Sequence, residues 1–495
     1  MIRLSSTLLL LLACVGATAA PNGLPSLRAL AQHGARVAAL VVNLDKPAVI
    51  ASLHYQQRLT PASVTKLYTT ASALRRWGPD HRFTTRLVTD AEIADGVLHG
   101  DLILLGAGDP ALTHADLWLL VARLRQRGIT RISGDVVVNI SLFGPVGCIT
   151  KDRCHAQEYS EHSYDAPVSA AGVNYSNLEI TVLPAAQPGE PATLVFMPPL
   201  LDGFSVTGAV TTVQADEPAS LFAWRATGLG VSTVHVTGQV PVASGRHSIL
   251  RSVANPSRYA GQVLAAVLAG SGIMVKGEVA VRTRAVPNGY RTLASVVSQP
   301  LANQLRNMLT YSNNYMADML TLDLLAYDED AKNADALTLP RAASYLVNLA
   351  KQANRQAADW LGPAKANIPL TIDTGSGLSI TNRISARDIV ALLAFMAQDK
   401  GLFPAYAGAL PVPRYTPSHT LKGGNQAWAN RLSAKTGTLT EPVTVRALAG
   451  YLRLHNGDLG AFAVLVNGSK KDQWISFDAT MAALMSDLEA ILAGH

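Results

Sequence analysis

Three short motifs supply residues suited to acyl transfer. Ser63-x-x-Lys66 lies in PASVTK at 61–66, Ser312-x-Asn314 in YSNNY, and Lys435-Thr436-Gly437 in AKTGT. A serine hydroxyl is a poor nucleophile and must lose its proton as it attacks, so it needs a base within reach. Lysine can serve only while neutral, a state favoured by burial, the positive end of a helix dipole or a second cation such as Lys435. Three positions along a helix place Lys66 one turn from Ser63 on the same face. Ser312 suits a proton relay to a leaving amine, and Asn314 offers an amide to hold a substrate backbone. Lys435 and Thr436 suit a terminal carboxylate, and Gly437, with no side chain, would let an extended substrate lie along its strand. The N–H groups of Ser63 and Thr438 are the expected oxyanion hole.

These residues need a scaffold, and the hydrophobic pattern supplies one. RVAALVVNLD and AVIASLHY read as a hairpin turning at Lys46-Pro47. PASVTK then opens a helix whose apolar face is Leu67, Tyr68, Ala71 and Leu74, and Gly78-Pro79 stops it. Helices are expected at 299–326, 339–357 and 385–398. RLSAKTGTL, VRALAGYLRLH and LGAFAVLVNGS form a meander with an Asn456-Gly457 turn, and a last helix is expected at 476–492. The two N-terminal strands complete a five-stranded antiparallel sheet flanked by helices, an α+β domain. Between 81 and 290 short β-like runs alternate with turns, and the segment reads as a β-rich insertion of one or two domains with a single helix at Tyr259–Ala269.

The bulk properties exclude other classes. At 495 residues the chain suggests two or three domains, and 48% hydrophobic with 15% charged residues supplies a core. The net charge of +6 is spread out with no basic run beyond a dipeptide, which argues against nucleic acid as a partner. Residues 1–20 read as a secretory signal with Arg3, an apolar stretch from Leu8 to Leu12, and a small-residue cleavage site at Ala17-Thr18-Ala19. That stretch is too short to span a bilayer, and no later segment is long enough. The run ending in Cys14 only loosely matches a lipoprotein box, so a soluble periplasmic protein is expected. Cys148 and Cys154, six apart in an exported chain, are expected to form a small disulfide loop.

Taken in order, the three motifs resemble those of penicillin-recognising serine acyltransferases. More specifically, the chain resembles the D-alanyl-D-alanine carboxypeptidase/endopeptidase family, the low-molecular-mass class C penicillin-binding proteins. GAGDPAL (106–112), YDAPVSAAGVNYSNLEI (164–180), LANQLRNMLTYSNNYMADML (301–320) and IDTGSGLS (372–379) resemble that family's recurring segments. One departure is Thr374, where a glycine is more usual. The resemblance implies a β-lactamase/transpeptidase-like domain from 21–80 and 294–495. It also implies an inserted domain II from 81–165 and 248–293, and an inserted domain III from 166–247. It implies Ser63 as nucleophile, Lys66 as base and Ser312 as relay. Asn314, Lys435, Thr436, Gly437 and Thr438 would bind peptidoglycan stem peptides, their cross-links and β-lactam antibiotics.

No cofactor or metal is called for, since neither H-E-x-x-H nor a phosphate loop is present. Asp373 and Ser376 are expected to build a turn rather than react, and Glu158 and Glu161 are the acids considered for a cationic group of the stem peptide. A β-lactamase is the alternative enzyme, but its deacylating acid would have to come from Glu329 to Asn333, a polar run unlike the usual one. A non-catalytic wall-binding sensor is the third reading. Monomer and homodimer both stay open.

Overall fold

The structure is a computed structural model that describes residues 23–197, 201–228, 230–328, 330, 337–415 and 430–494. The signal segment with Cys14, and Glu329 and Asn333, lie outside the described residues. At the centre is a five-stranded antiparallel sheet in the order Ala48–Leu53, Arg36–Asn43, Leu459–Asn467, Val445–Arg453, Leu432–Leu439. The two ends of the chain thus meet in the middle of one sheet, and the strand carrying Lys435 lies on its edge.

Alternation along these strands explains the layering, because successive side chains leave opposite faces. Ala38, Leu40, Val42, Ala461, Ala463 and Leu465 pack into the large core on the helical side. Val37, Ala39, Val41, Phe462, Val464 and Val466 pack beneath the helices Pro25–Gln32 and Phe477–Gly494. Both faces are covered, so these strands read as continuous apolar runs. The terminal helices are also tied directly, since the Asp487 carboxylate accepts the N–H groups of Ser26 and Leu27 at 3.0 and 2.9 Å.

The 299–326 segment is not one helix. It divides into Leu301–Thr310 and Asn314–Ala326, and between them Ser312 adopts φ +54°. A positive φ outside glycine costs about 1–3 kcal/mol and cannot be read from hydrophobic spacing.

The insertion leaves and rejoins the main body along one antiparallel pair, Thr84–Thr89 against Arg291–Val297. These belong to a five-stranded sheet with Leu102–Leu105, Val136–Asn139 and Val279–Arg282. Two helices accompany it, Pro256–Gly270 and His114–Gln126; the second is an addition to the single helix expected. A further pair of sheets is centred on Ser220–Gly228, Val231–Pro241 and Asn177–Leu183. Tyr159–Ser160 pairs with the Ser220–Gly228 strand, and His247–Ser252 with Asn177–Leu183. Strand pairing therefore draws residues 159–252 together against the 166–247 expected: Tyr159–Ser160 is a two-residue strand with no signature of its own, and the six-residue strand His247–Ser252 begins at the expected boundary and pairs back to Asn177–Leu183.

One buried ion pair anchors the approach to the serine. Arg58 precedes it by five residues, and its Nε donates to Asp388 Oδ2 at 2.9 Å. The other Asp388 oxygen accepts from Asn354 at 2.8 Å, and Ser385 and Asp388 form the capping box of the helix Ala386–Gln398. Burial alone would raise the Asp388 carboxyl, but Arg58 and the Ser385 hydrogen bonds hold it below its ordinary range. Asp388→Asn strands the guanidinium and is expected to cost about 3–5 kcal/mol, read as a lowered denaturation midpoint; an unmoved midpoint would refute the anchoring role.

Candidate active site

Ser63 sits at the entry of a helix assembled in two steps. Ala62–Thr65 is a 3-10 turn, and Lys66–Trp77 continues as α-helix until Gly78 ends it. The turn begins tightly, with Ala62 at φ +48°. A Cβ on Gly377 would lie 1.9 Å from Ala62 O, and one on Gly437 would lie 2.6 Å from Pro61 O. Three segments distant in sequence thus touch backbone to backbone around the serine. This gives Gly437 a different reason from the substrate path expected of it, because its missing side chain lets the edge strand pack against the serine turn.

Lys66 is completely buried. Its Nζ lies 2.8 Å from Ser63 Oγ, 2.7 Å from Asn314 Oδ1 and 2.7 Å from the carbonyl oxygen of Ser376. Two of these partners can only accept. A neutral amine has two hydrogens and one lone pair, so giving both hydrogens to Asn314 and Ser376 leaves the lone pair facing the Ser63 hydroxyl. Burial lowers the Lys66 pKa well below its ordinary value, and the nearby Lys435 charge lowers it further; Asp318 acts in the opposite sense. Lys435 is itself buried, is pushed down to about 7 by that burial, and donates to the Thr436 carbonyl at 2.8 Å.

The remaining expected residues fall into two groups. Ser312, Asn314 and Thr438 line a cavity of about 380 Å³ together with Ser63. Lys435 is buried and is not among the lining residues, and Thr436 is half-buried on the same strand. Among the described residues no hydrogen bond joins Ser312 to Ser63 or Lys66. Asn314 is engaged at both ends of its amide, by Lys66 and by donation to Tyr164 O at 3.1 Å. Ala434 N–H leaves the sheet to bond Pro411 O at 2.9 Å. By the alternation of an antiparallel ladder, the Thr436 and Thr438 amides also point outward.

Several residues that face the cavity have no role assigned from the sequence: Asp152, Tyr164, Tyr311 and Glu441. Glu158 and Glu161 are not among its lining residues, and Glu161 accepts from Tyr159 at 2.5 Å. The acids that face the cavity are Asp152 and Glu441; Asp152's one signal in the sequence is its place inside the Cys148–Cys154 loop. Those two cysteines are bonded, with Cα atoms 5.2 Å apart. Asp373 and Thr374 belong to a turn held by Asn382, and Ser376 contributes its backbone carbonyl. A larger groove of about 930 Å³ follows the Pro256–Gly270 helix, but none of the motif residues line it.

Comparison with known proteins decides the family. The model of the D-Ala-D-Ala carboxypeptidase 3 (S13) family matches residues 26–488. The chain belongs to this family. Its relatives include a D-alanyl-D-alanine carboxypeptidase of Actinomadura sp. (strain R39), 29% identical over 462 residues, covering 89% of this chain and 78% of that one. D-alanyl-D-alanine carboxypeptidase DacB of Haemophilus influenzae is 24% identical over 442 residues, covering 88% and 86%. The crystal structure of penicillin binding protein 4 (dacB) from Haemophilus influenzae superposes with a TM-score of 0.72 at 22% identity, covering 94% of this chain and 99% of that chain. The S13 fold therefore holds here, as an α+β domain built on an antiparallel sheet with a large insertion.

Gly437→Ala tests the packing role of the glycine. The added methyl must move either strand or turn, lowering the melting temperature without ligand by the equivalent of about 1–3 kcal/mol. Carboxypeptidase activity should fall on the order of 100-fold, as for an ångström-scale misplacement. Lost activity with an unchanged melting temperature would instead return the glycine to the substrate path.

Proposed function

We propose that this S13 family member is a periplasmic serine DD-peptidase of peptidoglycan. It would cleave the terminal D-Ala-D-Ala bond and D-Ala-containing cross-links through an acyl-enzyme on Ser63, and would be acylated at the same atom by penicillins. The observation that carries this reading is the approach of Lys66 Nζ to within 2.8 Å of Ser63 Oγ while it also bonds Asn314 Oδ1 and Ser376 O, contacts through which a neutral amine would turn its lone pair to the serine. The signal-like residues 1–20 and the cystine support an exported location.

In the first step Ser63 Oγ attacks the carbonyl carbon of the penultimate D-alanine while its proton passes to Lys66 Nζ. The carbonyl oxygen takes the negative charge and meets the outward N–H of Thr438 and that of Ser63; donors so placed contribute several kcal/mol. The tetrahedral species collapses, breaking the C–N bond, and the leaving amine receives a proton by way of Ser312. D-alanine departs with its carboxylate from Lys435 and Thr436. Water then attacks the ester, Lys66 takes its proton, and Ser63 recovers its own. Asp152, at the cavity wall, takes the role considered for Glu158 and Glu161, meeting a cationic side chain of the stem peptide.

The test uses two peptides alike except at the C-terminus. A peptide ending in free D-Ala-D-Ala should release D-alanine. Its amidated counterpart lacks a charged hydrogen-bond partner worth about 1.5–3 kcal/mol, and should be about 10- to 150-fold slower in kcat/KM. Ser63→Ala should abolish both release and covalent labelling by a fluorescent penicillin. Labelling mapped to any other residue, or no D-alanine from the free peptide, would overturn the reading.

A further inference from the structure

The insertion reaches the catalytic lysine by a route that the reaction scheme leaves unused. Thr150 caps the short helix Lys151–His155, its Oγ1 accepting the Arg153 N–H, and the Cys148–Cys154 bridge closes over the loop. Neighbouring residues on a helix point about 100° apart. Asp152 accordingly lines the serine cavity, while Arg153 turns into the interior with 2% exposure.

There Arg153 Nη1 donates to Asp318 Oδ2 at 2.6 Å. Asp318 Oδ1 accepts the Ser376 N–H at 2.8 Å, and the Ser376 carbonyl accepts from Lys66 Nζ at 2.7 Å. Asp318 also stands one turn along the helix from Asn314, the other acceptor for Lys66. Hydrogen bonds joined through the Ser376 backbone therefore link the guanidinium to the amine, and every side chain in the link is buried.

We propose that Arg153 is a positioning residue for Lys66, acting through Asp318 and the backbone of Ser376 to keep the lysine lone pair aimed at Ser63, so that the insertion completes the active site. The inference rests on the reading of Lys66 as the base. A buried carboxylate with no counter-charge is strongly destabilised, and near an amine it favours the ammonium form. The charged groups acting on Lys66 are Lys435 from the edge strand, Asp318 from the Asn314–Ala326 helix and Arg153 from the insertion. Lys435 and Arg153 favour the neutral amine, and Asp318 opposes them.

The test is the pH dependence of Ser63 acylation by a fluorescent penicillin. The rate should rise with pH as Lys66 loses its proton. Arg153→Met leaves the Asp318 charge uncompensated, so this limb should move to higher pH. On the acid side the rate then falls about tenfold for each unit moved and recovers under alkaline conditions. Asp318→Asn keeps the shape, removes the acid and leaves Arg153, so the limb should move to lower pH. A merely structural role would lower rate or melting temperature without moving the limb. A limb unmoved in Arg153→Met, or displaced in the same direction in both variants, overturns the proposal. Should Arg153→Met fail to fold, Asp318→Asn decides alone, and an unmoved limb sinks the idea. Wild-type protein unlabelled at Ser63 would overturn the acyl-enzyme reading and this inference with it; a labelled wild type with unmoved variants overturns this inference only.

Discussion

Everything around the site follows from keeping one lysine amine buried beside one serine hydroxyl. An ammonium group in that position would have to be desolvated, which favours loss of its proton. Burial alone would leave a neutral amine without orientation. The two fixed acceptors, Asn314 Oδ1 and Ser376 O, would supply it: by taking both hydrogens of a neutral amine they would leave its lone pair toward Ser63, 2.8 Å away. Lys435, on a strand from the far end of the chain, adds a like charge that works in the same sense.

This arrangement requires four stretches of chain to converge within hydrogen-bond reach, and the close approaches mark where they do. Gly377 and Gly437 each bring their backbone against the 61–62 turn, and a Cβ on Gly375 would lie 1.9 Å from Thr321 Oγ1 and 2.7 Å from Thr69 Oγ1. Ala62 and Ser312 hold positive φ at the two chain reversals that face the cavity. Strain of this kind persists only where the surroundings over-determine it, and here the five-stranded sheet and the Arg58–Asp388 anchor do so.

The parts of this legible in the sequence were those with a local cause. Serine and lysine one turn apart, a K-T-G on an apolar strand and an Asn-Gly turn each carry their own pattern, and the sheet with its covering helices follows from them. The helix His114–Gln126 is hard to read although Leu117, Leu120, Val121 and Leu124 have helical spacing, because exposed Trp118 and Leu119 make the run look continuously apolar. The break at Ser312 has no glycine or proline to announce it. The packing role of Gly437 and the reach of Arg153 depend on residues hundreds of positions away, so no local pattern could disclose them. The placement of Asp152 and Glu441 at the cavity, rather than Glu158 and Glu161, depends on the folded loops in the same way.

The central claim is that Lys66 is neutral where it stands. Selective isotope labelling of the lysine ε-carbons, with Lys66 assigned by its loss in Lys66→Arg, would follow its titration directly by NMR. The account predicts a Lys66 midpoint well below the ordinary value of 10.5, moving further down when Asp318 is replaced by asparagine. A resonance that stays protonated up to the ordinary lysine range would contradict it.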